Sequence, residues 1–237
     1  MPNPYFQFKQ FTVYQDQCAL KVCTDACILG AWFSAKIPPY SLALDIGSGT
    51  GLLMLMLAQR HKGEIRGIEL DLPSFKQLKE NIAASKWKDA LKVYPGDVRE
   101  FSFSEKFDFI ISNPPFFEGD LTAASETKNL AKHSKELTLT QLISVIHANL
   151  KDTGSFGILL PYHRTEYFES LAAGCQFQVQ EKLLVRQTPG HTAFRSILHF
   201  SRKKVSFVPV TELIIQDAPG RYSAEFTELM KDYYLHL

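Results

Sequence analysis

The sequence predicts an α/β protein built on a mostly parallel, doubly wound sheet, and three observations carry that expectation. From Ser41 onward, short β runs alternate with helical stretches. A glycine-rich loop separates the first of these runs from the helix after it. The last two runs of the core are divided by little more than Gln187-Thr-Pro-Gly190, which marks an antiparallel pair closing a mostly parallel sheet. With 237 residues and 45% hydrophobic content, one core can still grow to serve the whole chain. A single domain over 1–237 is expected, with a strand and helix segment over 1–40, a core over 41–204 and a tail over 205–237.

The elements follow in order. Phe6, Phe8, Phe11 and Val13 sit among polar residues at close to period two, which predicts a strand or hairpin. Thr24 or Asp25 can cap a helix carrying Ala26, Ile28, Leu29, Ala31 and Trp32, which Ile37-Pro-Pro39 ends. The β runs of the core are Leu42 to Ile46, Ile65 to Leu70, Leu91 to Tyr94, Phe107 to Ser112, Ser155 to Leu160, Gln178 to Val185 and Arg195 to Ser201. Helices fit at Leu52 to Gln59, Ser74 to Ser85, Thr138 to Leu150 and Arg164 to Ala173. The tail holds a β run at Leu213 to Ile215 and a helix that Ser223 can cap.

Composition sets bounds on partners. The 26 basic and 25 acidic residues leave a formal charge of +1, so any contact with a polyanion must come from a local patch. No apolar run approaches the roughly 18 residues that span a bilayer, and Met1-Pro-Asn-Pro-Tyr5 lacks the layout of a signal peptide. A cytoplasmic protein is expected. Cys18, Cys23, Cys27 and Cys175 lack C-x-x-C pairing and nearby histidines, so they read as small buried thiols, and no metal site is expected.

In Leu44-Asp45-Ile46-Gly47-Ser48-Gly49-Thr50-Gly51, the glycines let backbone approach a ligand where no side chain obstructs. A dinucleotide fingerprint would want a glycine where Leu52 stands. S-adenosylmethionine carries no phosphate, and the D-x-G-x-G-x-G pattern suits its amino-acid and nucleoside portions. Glu69, at the end of the next strand with Leu70 after it, is placed to accept two ribose hydroxyls. Asp97, followed by Val98, ends the third strand and either accepts from the cofactor's adenine amino group or serves as an ordinary Gly-Asp turn.

The stretch Ile110-Ile111-Ser112-Asn113-Pro114-Pro115-Phe116-Phe117 says most about chemistry. An amide-like planar nitrogen is a poor nucleophile because its lone pair is delocalised. If the Asn113 side-chain oxygen and the Pro114 carbonyl each accept one N–H, they favour a pyramidal nitrogen, and those bonds strengthen as charge develops on it. Pro115 keeps the backbone extended, and Phe116 would stack on a planar substrate, contributing about 1 to 3 kcal/mol if that substrate is a base. No strong general base is needed before transfer. The expected activity is methyl transfer to such a nitrogen.

On these motifs the sequence resembles class I methyltransferases of the N-P-P-[YF] group, which modify adenine N6, guanine N2 or glutamine N5. Phe8-Lys-Gln-Phe11, Lys21-Val-Cys-Thr-Asp25, Leu29-Gly-Ala-Trp32, Leu44-Asp-Ile-Gly47, Ile110-Ile-Ser-Asn-Pro-Pro115, Tyr222-Ser223 and Tyr233-Tyr-Leu235 look like the bacterial tRNA(Val) adenine-N6 methyltransferases. The resemblance spans nearly the whole chain. It implies a Rossmann-like, seven-stranded sheet with one antiparallel strand, S-adenosylmethionine as cofactor, and methylation of the adenine at position 37, immediately 3′ of the anticodon. A monomer is expected, although nothing in the sequence fixes the oligomeric state. The resemblance also implies that Lys21 and Thr24 lie beside the cofactor's methionine end, although Thr24 also suits a plain helix cap. The chain departs from the family at Cys23 and Ala26, where members carry glycine, and at Phe116, where Tyr is common.

For the RNA, Glu118 to Glu136 reads as a mobile loop whose Lys128, Lys132, His133 and Lys135 pair with phosphates. Arg186, Arg195 and Arg202-Lys-Lys204 are further candidates, each of which also fits a solvated face. Phe8 and Phe11 fit core packing better than base stacking. Rival readings are glutamine N5 methylation of a protein, guanine N2 methylation of ribosomal RNA, and a catalytically silent, cofactor-binding RNA chaperone.

Overall fold

The computed structural model describes residues 3–18, 20–115 and 137–237. Phe116 and the 118–136 segment, with Lys128, Lys132, His133 and Lys135, lie outside the described residues.

An N-terminal hairpin, β1 (Tyr5–Gln7) and β2 (Thr12–Tyr14), precedes α1 (Thr24–Ser34). The core then alternates: β3 (Ala43–Ile46), α2 (Leu52–Ala58), β4 (Ile65–Glu69), α3 (Leu72–Ala83), β5 (Leu91–Pro95) and β6 (Phe107–Ser112). After α4 (Leu139–Asn149) come β7 (Leu150–Pro161), a 3-10 turn (Tyr162–Arg164), α5 (Thr165–Gly174), β8 (Gln178–Arg186) and β9 (Arg195–Ser201). The tail holds β10 (Val210–Ile214), β11 (Gln216–Ala218), β12 (Arg221–Tyr222) and α6 (Ala224–Met230).

The main sheet has eight strands in the order β10-β8-β9-β7-β6-β3-β4-β5, and only β9 runs against its neighbours. The expected seven become eight because the tail run begins at Val210 and adds a parallel strand to the β8 edge. The expected antiparallel pair is β8 with β9.

Period-two alternation divides the core. Ala43, Ile65, Phe109, Ile111, Leu183 and Ile197 face α1 and α2, whereas Leu44, Ile46, Ile110, Phe156, Ile158 and Leu198 face α4 and α5. Helix α2 is apolar on every side because it lies between the sheet and α1. The two helices touch at Gly30, where an added Cβ would sit 2.7 Å from the Met56 sulfur. Phe8 and Phe11 stack at 4.5 Å within this core, so the packing reading holds for both.

Caps explain most helix boundaries. Asp71 accepts from Ser74 N at 3.0 Å and so starts α3 at Leu72, ahead of the expected Ser74, with Pro73 in the first turn. Thr138 and Gln141 form a reciprocal capping box on α4, and Ser223 caps α6 through Phe226 N at 3.0 Å. The start of α1 corrects the sequence expectation. Cys23 holds the cap position with no side-chain bond, because Asp25 is drawn inward to Arg195 and Thr24 meets Tyr234.

Candidate active site

The turn from β3 to α2 is shaped by backbone that side-chain-bearing residues resist. Gly47, Gly49 and Gly51 have φ of +74°, +52° and +83°. The loop is pinned from behind: Gly47 N and Ser48 N both donate to Ile68 O, at 3.0 and 3.1 Å, and Ser48 Oγ donates to Asp45 O at 3.0 Å. An added Cβ at Gly47 or Gly49 would meet nothing within 4 Å, so both face open space, whereas one at Gly51 would strike Leu78 at 2.7 Å.

Two acids sit beneath and beside this loop. Glu69 accepts from Gly49 N and from Asp71 N, each at 2.8 Å, which uses one site on each oxygen and leaves lone pairs for further donors. Burial raises its pKa, and those backbone donors pull it back. Asp45 is fully buried, and neither carboxylate oxygen has a hydrogen-bond partner among the described residues. Burial and the Glu69 charge push its pKa up to about 8, with Ser48 acting in the opposite direction.

Strand β6 delivers the third part. Ser112 Oγ donates to Ile46 O at 2.9 Å, which ties the end of β6 to β3 beside the glycine loop. The next residue, Asn113, presents a buried Oδ1 with no partner among the described residues. Leaving such an acceptor unmade costs about 1 to 3 kcal/mol, which a donor arriving in the cavity would recover.

Asn113, Pro114 and Pro115 share a cavity of about 340 Å³ with Gly47, Ser48, Gly49, Thr50 and Lys21. Its remaining wall comes from the segment before α1 and the start of that helix, including Cys23, Asp25 and Ala26, from Leu52 and Leu53 of α2, and from Arg195 of β9. The pre-helix segment is held by Gln15, whose Oε1 accepts from Val22 N at 2.8 Å. Asn81 of α3 joins the hairpin to the glycine loop, donating to Tyr14 O at 2.8 Å and Thr50 O at 2.9 Å.

Not every expected residue reaches this cavity. Thr24 lies outside its lining and contacts Tyr234. Asp97 is held by Arg99, whose Nε lies 2.9 Å from both carboxylate oxygens, and that bidentate pairing keeps its pKa low. Val98 and Arg99 line a separate open groove against α4, and Leu70 is exposed. Arg186 pairs with Glu212 at 3.1 Å.

Two cavity residues escaped the sequence reading in that role. Asp25 accepts from Arg195 Nε at 2.7 Å and from Ala26 N at 3.0 Å. Asp25 looked like a cap and Arg195 like a surface cation, and they are 170 positions apart, so no local signal pairs them.

The model of the methyltransferase small domain family matches residues 32–158, the span from within α1 to within β7. A relative from Dyadobacter fermentans, named tRNA1(Val) (adenine(37)-N6)-methyltransferase, is 41% identical over 98% of this chain and 98% of its own length. Relatives of the same name from Bacteroides thetaiotaomicron and Pectobacterium carotovorum are 39% and 40% identical, covering 100% and 98% of this chain and 100% and 94% of their own lengths. The chain belongs to this methyltransferase family.

The fold agrees with that membership. A predicted O-methyltransferase from Agrobacterium tumefaciens superposes with a TM-score of 0.66 at 17% identity, covering 88% of this chain and 96% of the other. A ribosomal protein L11 methylase from Lactobacillus delbrueckii gives 0.54 at 19%, covering 76% and 77%. The cofactor of the family is S-adenosylmethionine, and the open glycine cradle, the Glu69 lone pairs and the unpartnered Asn113 oxygen suit a ligand with an amino-acid end, a ribose and a transferable methyl. Among the described residues, no cluster of three or more His, Cys, Asp or Glu could hold a metal ion, and no helix is long and apolar enough to cross a membrane.

Proposed function

We propose that this chain methylates N6 of the adenine at position 37 of tRNA1(Val). The observation that carries the reading is the buried Asn113 Oδ1, without a partner among the described residues, in the same cavity as the glycine loop. Bound S-adenosylmethionine supplies the methyl as an electrophile on a sulfonium. The chain's residues do the rest.

Gly47 to Gly51 give the cofactor close backbone contact, Glu69 accepts from its ribose hydroxyls, and Lys21 lies where it can meet the cofactor's carboxylate. Asp97, which lies outside the cavity lining, can accept from the cofactor's adenine amino group only where the Arg99 clamp yields a lone pair. Asn113 Oδ1 and the Pro114 carbonyl accept the two N–H groups of the substrate amine, turning its lone pair toward the methyl. Those bonds tighten as the nitrogen becomes positive, which is selective stabilisation of the transition state. The extra proton leaves after transfer. An anticodon-loop base reaches the cavity without duplex melting, by splaying one nucleotide, and a tRNA substrate places the reaction in the cytoplasm.

The test is methyl transfer from labelled cofactor into unmodified tRNA1(Val), with an otherwise identical tRNA carrying guanine at position 37 as control. The expected product is N6-methyladenosine, absent from the control. Cofactor binding without incorporation would overturn the substrate assignment and leave ribosomal RNA and protein glutamine to be tried.

A further inference from the structure

Beyond Arg195, the carboxyl edge of the sheet continues into a surface that none of the roles above uses. Strand β7 passes the end of β6, where Ser112 pairs with Ile158, and runs on to Pro161, which pairs with Arg195. It then enters the 3-10 turn Tyr162–Arg164. This turn is rigidly held: Tyr162 N donates to Phe194 O at 3.1 Å, Thr165 Oγ1 donates to Tyr162 O at 2.7 Å, and Thr165 Oγ1 lies 2.6 Å from Ser196 Oγ. The β8–β9 connection is therefore its immediate neighbour, and Arg195, the residue after Phe194, lines the cavity with Asn113.

Charge on this edge is uneven. Arg195 pairs with Asp25 and Arg186 with Glu212. Arg164 makes no ion pair or hydrogen bond through its side chain among the described residues, and it is only partly buried. His163 and His191 are exposed, and Tyr162 is 46% exposed. Neither 155–165 nor 187–195 contains an aspartate or glutamate; the nearest acid along the chain is Glu166. An unneutralised guanidinium, an imidazole and an exposed phenol on a fixed turn beside the cavity, with the His191 imidazole on the adjoining connection, make a surface suited to a sugar-phosphate backbone and a stacked base.

We infer that the 3-10 turn Tyr162–Arg164 and the neighbouring β8–β9 connection form the docking surface for the RNA strand flanking the target base. Arg164 meets a phosphate and Tyr162 offers its ring to an adjacent base. The inference rests on the proposed RNA substrate.

Initial rates with tRNA1(Val) are measured for the full chain and for Arg164→Glu, Arg164→Lys and Tyr162→Ala, together with cofactor affinity, thermal midpoint and salt dependence. Arg164→Glu is expected to raise KM for tRNA by about tenfold, and to flatten the log-log salt slope by about one, because one phosphate contact is lost. Its kcat and cofactor affinity should stay near wild type. Arg164→Lys should keep most of the affinity, and Tyr162→Ala should raise KM by about fivefold or more. A structural role would lower the thermal midpoint and leave the salt slope alone. Wild-type KM and salt slope in Arg164→Glu, while the parent protein methylates tRNA, would overturn the docking surface and leave the substrate assignment standing. A parent protein that binds cofactor and leaves tRNA unmethylated would overturn both.

Discussion

The glycine-loop wall of the cavity and the wall made by α1 and β9 keep their polar groups in different states. On the first, Asn113 holds a buried oxygen with no partner among the described residues, and the backbone takes left-handed turns at three glycines. On the second, Asp25 and Arg195 satisfy each other across the fold. A buried oxygen without a partner, set in fixed backbone, is completed only when a donor arrives, so this wall holds its recognition ready for a ligand. The facing wall must hold its shape between encounters with a large acceptor, and a paired charge does that without waiting for a ligand.

Substitutions can break this contrast, and the largest effect is expected at Asn113. Asn113→Ala should lower the rate of methyl transfer by about 10²- to 10³-fold, as removal of one pre-set transition-state partner does, while cofactor affinity measured by calorimetry changes little. A fall in cofactor affinity of the same size would place Asn113 with the cofactor loop.

Asp25→Asn comes next and should read out as stability. It strips the counter-charge from Arg195 beside a largely buried carboxylate, and because the guanidinium is 26% exposed the loss should fall below that of a fully buried pair, at about 1 to 3 kcal/mol. Denaturant unfolding would measure it, and an unchanged midpoint would remove the pair from any structural role.

Gly47→Ala places a side chain at φ +74° with open space around it, so the cost is backbone strain of about 1 to 2 kcal/mol and no clash. Cofactor affinity should drop by about tenfold through movement of the loop, which titration would show.

The last effect is a slope with pH. Asp45 has a folded pKa of about 8 against an ordinary 3.8, so between those values the folded protein keeps a proton that the unfolded chain has released. Stability from this group therefore falls as pH rises from about 4 to about 8 and levels off above that. Asp45→Asn should remove the slope, gaining thermal midpoint over wild type at pH 8 more than at pH 5. Parallel profiles for the two proteins would show that the buried carboxyl does not titrate in this range.

Much of the first wall is legible in the chain because its signals are local. β6 ends at Ser112 as the pattern predicts, and the glycine run falls where β3 gives way to α2. The β8–β9 pairing follows from one turn, and Ser223 caps α6 as expected. Elsewhere local signals compete. The Ser74 start expected for α3 moves to Leu72 because Asp71 reaches Ser74 N, and the strand expected over 155–160 spans Leu150 to Pro161 because pairing with β6 already begins at Leu150.

What the amino-acid order determined by itself was the alternation of elements, the cradle beside β3 and the Asn113-Pro114-Pro115 edge, all set by periodicity and by backbone that only particular residues adopt. The tertiary structure alone decided that β10 joins β8 as an eighth strand and that Asp25 faces Arg195 instead of capping α1. The physical reason is range. Backbone preference acts over a few residues, whereas an ion pair or an edge strand chooses among all partners that folding brings near, and that choice is made by burial and charge after the chain has closed.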